Sequence, residues 1–278
     1  MKQRIRLVAL DMDDTLLTPD KTVHPDTVRD IRSASENAIQ IVYCSGRGQI
    51  EIRPYYQVLN TIRYAICSNG SFIYDFLEER CIFRDEIEGQ YVVKITEMAL
   101  EAGAMPFFEL EDGIMLAKKD LDHIEDYHME MYKPLYDRYA TCVDDMLEAA
   151  RRISAAPKVN IYFRTPQDRA EGLRRVSHLP LHYNFAETTS LEVVAAGVTK
   201  GTGFCQLARH LGIPMSETAA IGDSYNDQEM LLAAALPIAM GNARPEILSL
   251  CRFQTDDNLH NGVGKALRRI ISGEYAAL

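Results

Sequence analysis

The chain has 278 residues, with 30 Lys+Arg against 40 Asp+Glu and a formal net charge of −10. That length suits one large or two ordinary domains whose core needs neither disulfides nor structural metals, and 47% hydrophobic with 25% charged residues excludes a wholly disordered, collagen-like or coiled-coil chain. The acidity argues against non-specific nucleic-acid binding, which needs a basic face, and the longest apolar stretch, Met230–Met240, is too short for a bilayer and carries Pro237.

The N-terminal apolar run Leu7–Leu10 is cut short by Asp11, Asp13 and Asp14, so it does not read as a signal peptide and a cytoplasmic protein is expected. Cys44, Cys67, Cys81, Cys142, Cys205 and Cys251 are scattered, without CxxC or zinc-ligand spacing, and are expected to be reduced thiols.

Ile5–Leu10 is a short apolar run ending in acidic residues, which predicts a buried parallel strand delivering polar groups at its C-terminal end. Pro25–Glu36 reads as a helix, with Val28 and Ile31 at i, i+3 spacing, Pro25 in its first turn and Asn37 as its C-cap. Ala38–Cys44 is a second buried strand ending in Ser45 and Gly46, Gln49–Asn60 a helix and Tyr64–Cys67 a third strand. This βαβαβ order implies a parallel sheet with helices on both faces. Phe72–Tyr74 and Cys81–Phe83 look like a hairpin.

The middle differs. Helices are predicted at Gln90–Ala102, Leu121–Tyr132, Asp144–Ile153 and Pro166–Ser177, and strands at Met105–Leu110, Ile114–Ala117, Val159–Phe163 and Leu181–Phe185, with a hairpin turn at Asp112-Gly113. From about Ser190 the first pattern returns: strand Leu191–Val194, helix Lys200–Leu211, strand Ala219–Ile221, helix Asp227–Ala235, strand Leu236–Ala239 and helix Gly262–Ile271. The reading is an α/β core, residues 1–81 and 188–278, interrupted by an inserted α+β domain at 82–187. The insert holds 13 basic and 20 acidic residues against 17 and 20 elsewhere, so it would repel a long polyanion, whereas a small phosphorylated metabolite needs only a local pocket.

Four short segments carry chemistry. In Leu7–Thr15 two carboxylates, Asp11 and Asp13, stand where a buried strand runs out, the usual place for ligands in an open parallel sheet. Carboxylates this close repel and need a cation or a raised pKa, and magnesium is the natural cation for hard oxygens beside a phosphate. One could attack phosphorus and the other move protons; the plainer alternative is a solvated acidic turn. Ala219–Asp227 repeats the arrangement: Asp223 could complete a metal site, Asp227 could do so or cap a helix, and Asn226 could bond a substrate. In Cys44–Arg47, Ser45 offers a hydroxyl and Gly46 a close backbone approach to an anion, though a Ser-Gly turn alone is ordinary. Lys200 opens a helix, where it could neutralise a phosphoryl group or simply be solvated. Each segment follows a core strand or opens a core helix, so one sheet could gather them at one edge.

Taken together, Asp11-Met12-Asp13-Asp14-Thr15, Ser45-Gly46-Arg47, Lys200-Gly201 and Gly222-Asp223-Ser224-Tyr225-Asn226-Asp227 resemble the four motifs of the haloacid dehalogenase (HAD) superfamily, and their order and the large insert resemble its Cof-type phosphatases with a type IIB cap. The resemblance implies a Rossmann-like, doubly wound parallel sheet with a mobile cap and Mg²⁺-dependent phosphomonoester hydrolysis. It casts Asp11 as nucleophile and Asp13 as general acid/base. Asp11, the Asp13 carbonyl and Asp223 become the metal ligands, with Asp227 supporting them. Ser45, Gly46 and Asn226 become phosphate or site-ordering contacts, and Lys200 steadies the charge. Asp14 stands where glycine is common, and Asn261 where an acid is often seen.

The expected activity is therefore a phosphatase of a sugar phosphate or phosphorylated cofactor, without nucleic-acid or membrane partners and working as a monomer or small homo-oligomer. A phosphomutase using the same aspartyl-phosphate, or a non-catalytic phosphometabolite sensor, stays open. Lys118, Lys158 and Arg164 of the insert are candidate substrate contacts, though solvation at the surface is the role expected of them. Asn69-Gly-Ser71 matches a glycosylation sequon but reads better as a turn, the pairs His123/His128 and His178/His182 lack a third metal ligand, and Tyr127, Tyr132, Tyr136 and Tyr139 read as packing.

Overall fold

The computed structural model describes residues 4–185 and 187–276. The chain divides into two compact units: Met1–Arg47, Ile52–Phe83 and Thr199–Leu278 form one, and Gly48–Glu51 with Arg84–Val198 form the other.

The first unit is built on an eight-stranded sheet in the order Phe253–Gln254, Leu236–Ala239, Thr218–Gly222, Leu7–Leu10, Gln40–Cys44, Tyr64–Cys67, Phe72–Asp75, Arg80–Arg84. The first six strands are parallel, and Phe72–Asp75 runs antiparallel to Tyr64–Cys67. Leu7–Leu10 is wholly buried because helices cover both faces of a parallel sheet, which is why its sequence is a continuous apolar run rather than an alternating one. Its neighbours are Gln40–Cys44 on one side and Thr218–Gly222 on the other, with Leu10 level with Tyr43 and Ile221. The strand order reverses at this point, which opens a crevice at the C-terminal ends of these three strands.

Local signals account for the core helices. Pro25–Glu36 starts at a proline, and His24 Nδ1 accepts from the Asp26 amide at 3.1 Å. Lys200–His210 is held at its start by a reciprocal box between Thr199 and Thr202. Gln49–Tyr56 stops short of the predicted Asn60 and carries Pro54 within it, which has no N–H to donate back along the helix.

The second unit carries a six-stranded sheet in the order Leu181–Asn184, Ser190–Ala195, Lys158–Tyr162, Met105–Leu110, Gly113–Ala117, Ala140–Val143. The hairpin at Asp112-Gly113 is present, with Leu110 opposite Gly113. Helices Gly89–Glu101, Met146–Arg152 and Pro166–Val176 cover one face through Val92, Ile95, Val159, Ile161 and Phe163.

Three expectations are corrected here. The strand around Leu191–Val194, assigned to the core, belongs to this second sheet: Val193 pairs antiparallel with Val159 and with Tyr183. A fully buried apolar run reads alike in either sheet, and only its partners decide. The helix expected over Leu121–Tyr132 is broken into Lys118–Asp122 and single turns at Ile124–Tyr127 and Glu130–Tyr132, because His128 is left-handed (φ 60°). Leu121, Ile124, Tyr127, Met129 and Tyr136 pack instead with Phe107, Leu116 and Tyr162, so the tyrosines Tyr127 and Tyr136 serve as packing. Lys158 is not solvated but 2% exposed, with its ammonium 2.9 Å from Glu109 and 3.2 Å from Glu192. Burial works against that charge, and the two carboxylates overcome it, holding the ammonium well above its usual range.

Candidate active site

All eight residues singled out for catalysis, phosphate or metal lie in the first unit. Asp11 follows the central strand directly, and its amide bonds Ile221 O at 3.1 Å, so the chain leaves the sheet beside Gly222. The next residues wind into a tight turn closed by Leu17 N to Met12 O at 2.8 Å, with Asp14 left-handed (φ 56°) where the family's glycine is common.

Lys200 joins the motifs. Its Nζ lies 2.5 Å from Asp11 Oδ1 and 2.6 Å from Asp227 Oδ1, and the side chain is 1% exposed. The solvated alternative for Lys200 is excluded, because its ammonium lies within the sheet's crevice between two carboxylates. Burial opposes the charge, but Asp11 and Asp227 outweigh it and hold Lys200 protonated.

Asp227 is wholly buried. Its second oxygen, Oδ2, accepts from the amides of Asp223 at 2.9 Å and Ser224 at 3.0 Å. Its side chain therefore reaches back to Ser224 as the acidic half of a capping box, and although Asp227 holds the N-cap position of the helix Gln228–Ala233 it makes no side-chain cap bond there. Both oxygens of Asp227 are thus engaged by protein donors, which makes it an organiser of Lys200 and of the turn at Asp223.

Asp223 accepts from Thr15 Oγ1 at 2.8 Å, a link across 208 residues of sequence. Burial, then the charge of Asp227, pushes its carboxyl up to about 6, against the Thr15 hydroxyl and Lys200. Asp11 is pushed up well above the ordinary range by burial and the charges of Asp227 and Asp223, with Lys200 pulling the other way. Oxygens of Asp11, Asp223 and Asp227 lie within 4.8 Å of one another, the one such cluster among the described residues. Three buried carboxylates against one ammonium leave negative charge unbalanced, and this all-oxygen donor set fits a hard divalent cation such as magnesium.

Asp13 points elsewhere. Arg47 grips it bidentately, Nε to Oδ2 at 2.7 Å and Nη2 to Oδ1 at 2.7 Å, and Lys21 Nζ adds 2.7 Å to Oδ1. Burial favours the neutral acid, but these hydrogen bonds and charges prevail and hold the carboxyl well below the usual range. Ser45 is 2% exposed and its Oγ accepts from Arg47 N at 3.2 Å, which shapes the Ser45–Arg47 loop. Asn226 Nδ2 donates to Asn69 Oδ1 at 3.2 Å. Cys44 is also close, but burial pushes its thiol far up, so it is no nucleophile.

Sequence reasoning missed Lys21, Thr15 and Asn69 as members of this site. Lys21 sits in a polar turn with no motif around it, and nothing local marks Thr15 as a partner of Asp223. Asn69 carries the one usable signal, an Asn-Gly pair one residue past a core strand, which by itself marks only a turn.

The comparisons agree with this geometry. The sequence model of the haloacid dehalogenase-like hydrolases matches residues 8–267. Among curated proteins, the chain is 27% identical over 262 residues to the pyridoxal phosphate phosphatase YbhA of Escherichia coli (strain K12), covering 94% of this chain and 96% of that one. It is 28% identical over 260 residues to the HMP-PP phosphatase of Serratia proteamaculans (strain 568), covering 88% and 87%. Among solved structures, a haloacid dehalogenase-like hydrolase from Bacteroides thetaiotaomicron superposes with a TM-score of 0.85 at 22% identity, covering 96% of this chain and 100% of that one. The HAD subclass IIB sugar phosphatase BT4131 superposes with a TM-score of 0.81 at 22% identity, covering 95% and 98%. With its motifs gathered at the switch point of the sheet and the family matched over nearly its whole length, the chain belongs to the haloacid dehalogenase-like hydrolases.

Proposed function

We propose that the chain is a Mg²⁺-dependent phosphatase that hydrolyses a small phosphorylated metabolite through an aspartyl-phosphate on Asp11. The observation that carries this reading is the Lys200 ammonium held between Asp11 and Asp227, beside Asp223, at the ends of adjacent parallel strands. The second unit, Arg84–Val198 with Gly48–Glu51, is proposed as the cap that selects the substrate.

Asp11, the Asp13 carbonyl and Asp223 would hold the cation, which when bound would offset charge on the transferring phosphoryl group. Lys200 orients the Asp11 carboxylate and shares that role, while Asp227 fixes Lys200. The Asp11 carboxylate attacks phosphorus as the bond to the leaving oxygen breaks, and that oxygen takes a proton from Asp13. A water then gives a proton back to Asp13 and attacks the same phosphorus, releasing phosphate and restoring Asp11. Asp13, paired with Arg47 and Lys21, is in its basic form. The acid half of the cycle therefore requires Asp13 to leave Arg47 and take up a proton. Ser45, the Gly46 amide and Asn226 bind the phosphoryl oxygens.

The test is phosphate release from a panel headed by pyridoxal phosphate and HMP-PP, the substrates in the relatives' names, with sugar phosphates and flavin mononucleotide beside them. Release that needs Mg²⁺ and is lost in Asp11→Asn is the expected result. Binding of a panel member without release, or migration of phosphate within a sugar, would overturn it.

A further inference from the structure

Ser68, Asn69 and Gly70 follow the core strand Tyr64–Cys67 and are all left-handed, with φ of 51°, 57° and 105°. Three such residues in a row are costly for the backbone, and two of them are not glycine. The surroundings hold them. Ser68 N donates to Arg47 O at 3.0 Å and Asn69 N to Ser45 O at 2.9 Å, so the turn clasps the Ser45–Arg47 loop from behind. On its other side a Cβ at Gly70 would stand 2.2 Å from Thr199 O, at the N-cap of the helix that presents Lys200. One strained turn thus touches the loop of Ser45, the helix of Lys200 and, through the 3.2 Å bond from Asn226 Nδ2 to Asn69 Oδ1, the turn of Asp223.

The Asn69 carboxamide lies at the meeting point. Its Oδ1 is 3.3 Å and its Nδ2 3.6 Å from the position a Cβ on Gly46 would take, so it rests against the Gly46 α-carbon while bonding Asn226. Asn69 is 1% exposed. We propose that Asn69 is a positioning residue, whose carboxamide, wedged between Gly46 and Asn226, sets the distance between two contacts for one phosphoryl group. This rests on the reading of Gly46 and Asn226 as phosphate contacts. The competing account is that asparagine is present only because it tolerates the left-handed backbone.

Asn69→Gly separates the two, since glycine adopts the same backbone freely and removes only the carboxamide. The measurement is the inhibition constant of inorganic phosphate, with KM and kcat for the best panel substrate, in the wild type, Asn69→Gly, Asn226→Ala and the double variant. Asn69→Gly is expected to weaken phosphate inhibition by about tenfold, within the range for directly coupled groups. In the double variant the loss should not exceed that of Asn226→Ala alone. Inhibition in Asn69→Gly within twofold of wild type, or losses that multiply in the double variant, would overturn the proposal. A wild type that neither releases nor binds phosphate sinks the functional reading instead. The Asn226 side-chain amide resonances then decide positioning separately: a shift in Asn69→Gly sustains it, and unchanged resonances refute it.

Discussion

A Cβ on Gly222 would stand 2.6 Å from the Asp227 carboxyl carbon and 2.7 Å from its Oδ2. No side chain fits there, and the carboxylate so admitted is the one that fixes Lys200 and receives the amides of Asp223 and Ser224. The glycine of this motif is therefore required by the space Asp227 fills, since its φ is not in the left-handed region.

Gly222→Ala should displace Asp227 and with it Lys200. The expected cost is roughly 1–3 kcal/mol of stability, as for other overpacked interiors, read by chemical denaturation. Phosphate release should fall far more than that stability loss explains. An alanine variant with wild-type release would show that Asp227 need not sit where it does.

Proton and metal should compete at Asp223. In the metal-free protein its carboxyl is pushed up to about 6, so the neutral acid is favoured in the fold below that pH. Folding therefore gains from this group at low pH and loses that gain as pH rises through about 6, where the buried charge appears. A bound cation favours the charged form, so Mg²⁺ should bind more weakly at pH 5 than at pH 7.5 and release protons on binding between them. Melting temperatures with Mg²⁺ or chelator at both pH values check this: the Mg²⁺-dependent gain should be larger at the higher pH.

Lys158 should be costly to remove. Lys158→Met leaves Glu109 and Glu192 buried without their cation, and breaking such a buried pair costs about 3–5 kcal/mol. Adding Glu109→Gln should restore part of the loss. Denaturation of the single and double variants measures both, and an unchanged single variant would show that the carboxylates are neutral in the fold.

Much of the first unit is legible because parallel strands buried on both faces write continuous apolar runs, and polar residues at their ends mark the crevice. Asp11, Lys200, Asp223 and Asp227 stand out on that pattern, and the structure brings them together. The strand expected at Leu191–Val194 lies in the second sheet instead, because burial on both faces erases any mark of which sheet a strand joins. Lys158 is not legible as buried, because a lone lysine shows nothing of the two glutamates, 49 and 34 positions away in sequence, that neutralise it. Lys21 and Asn69 depend in the same way on contacts between distant segments, which no local spacing records.

The central strand also sets a timetable. Leu7–Leu10 is synthesised before Thr218–Gly222, yet one of its two hydrogen-bonding edges waits for that strand. At common translation rates that interval lasts on the order of tens of seconds. Throughout it the nascent protein carries an apolar strand with an open edge, the kind of surface that invites pairing with another chain. A ribosome stalled before residue 218 would leave a product that lacks Asp223 and Asp227 and carries an adhesive edge.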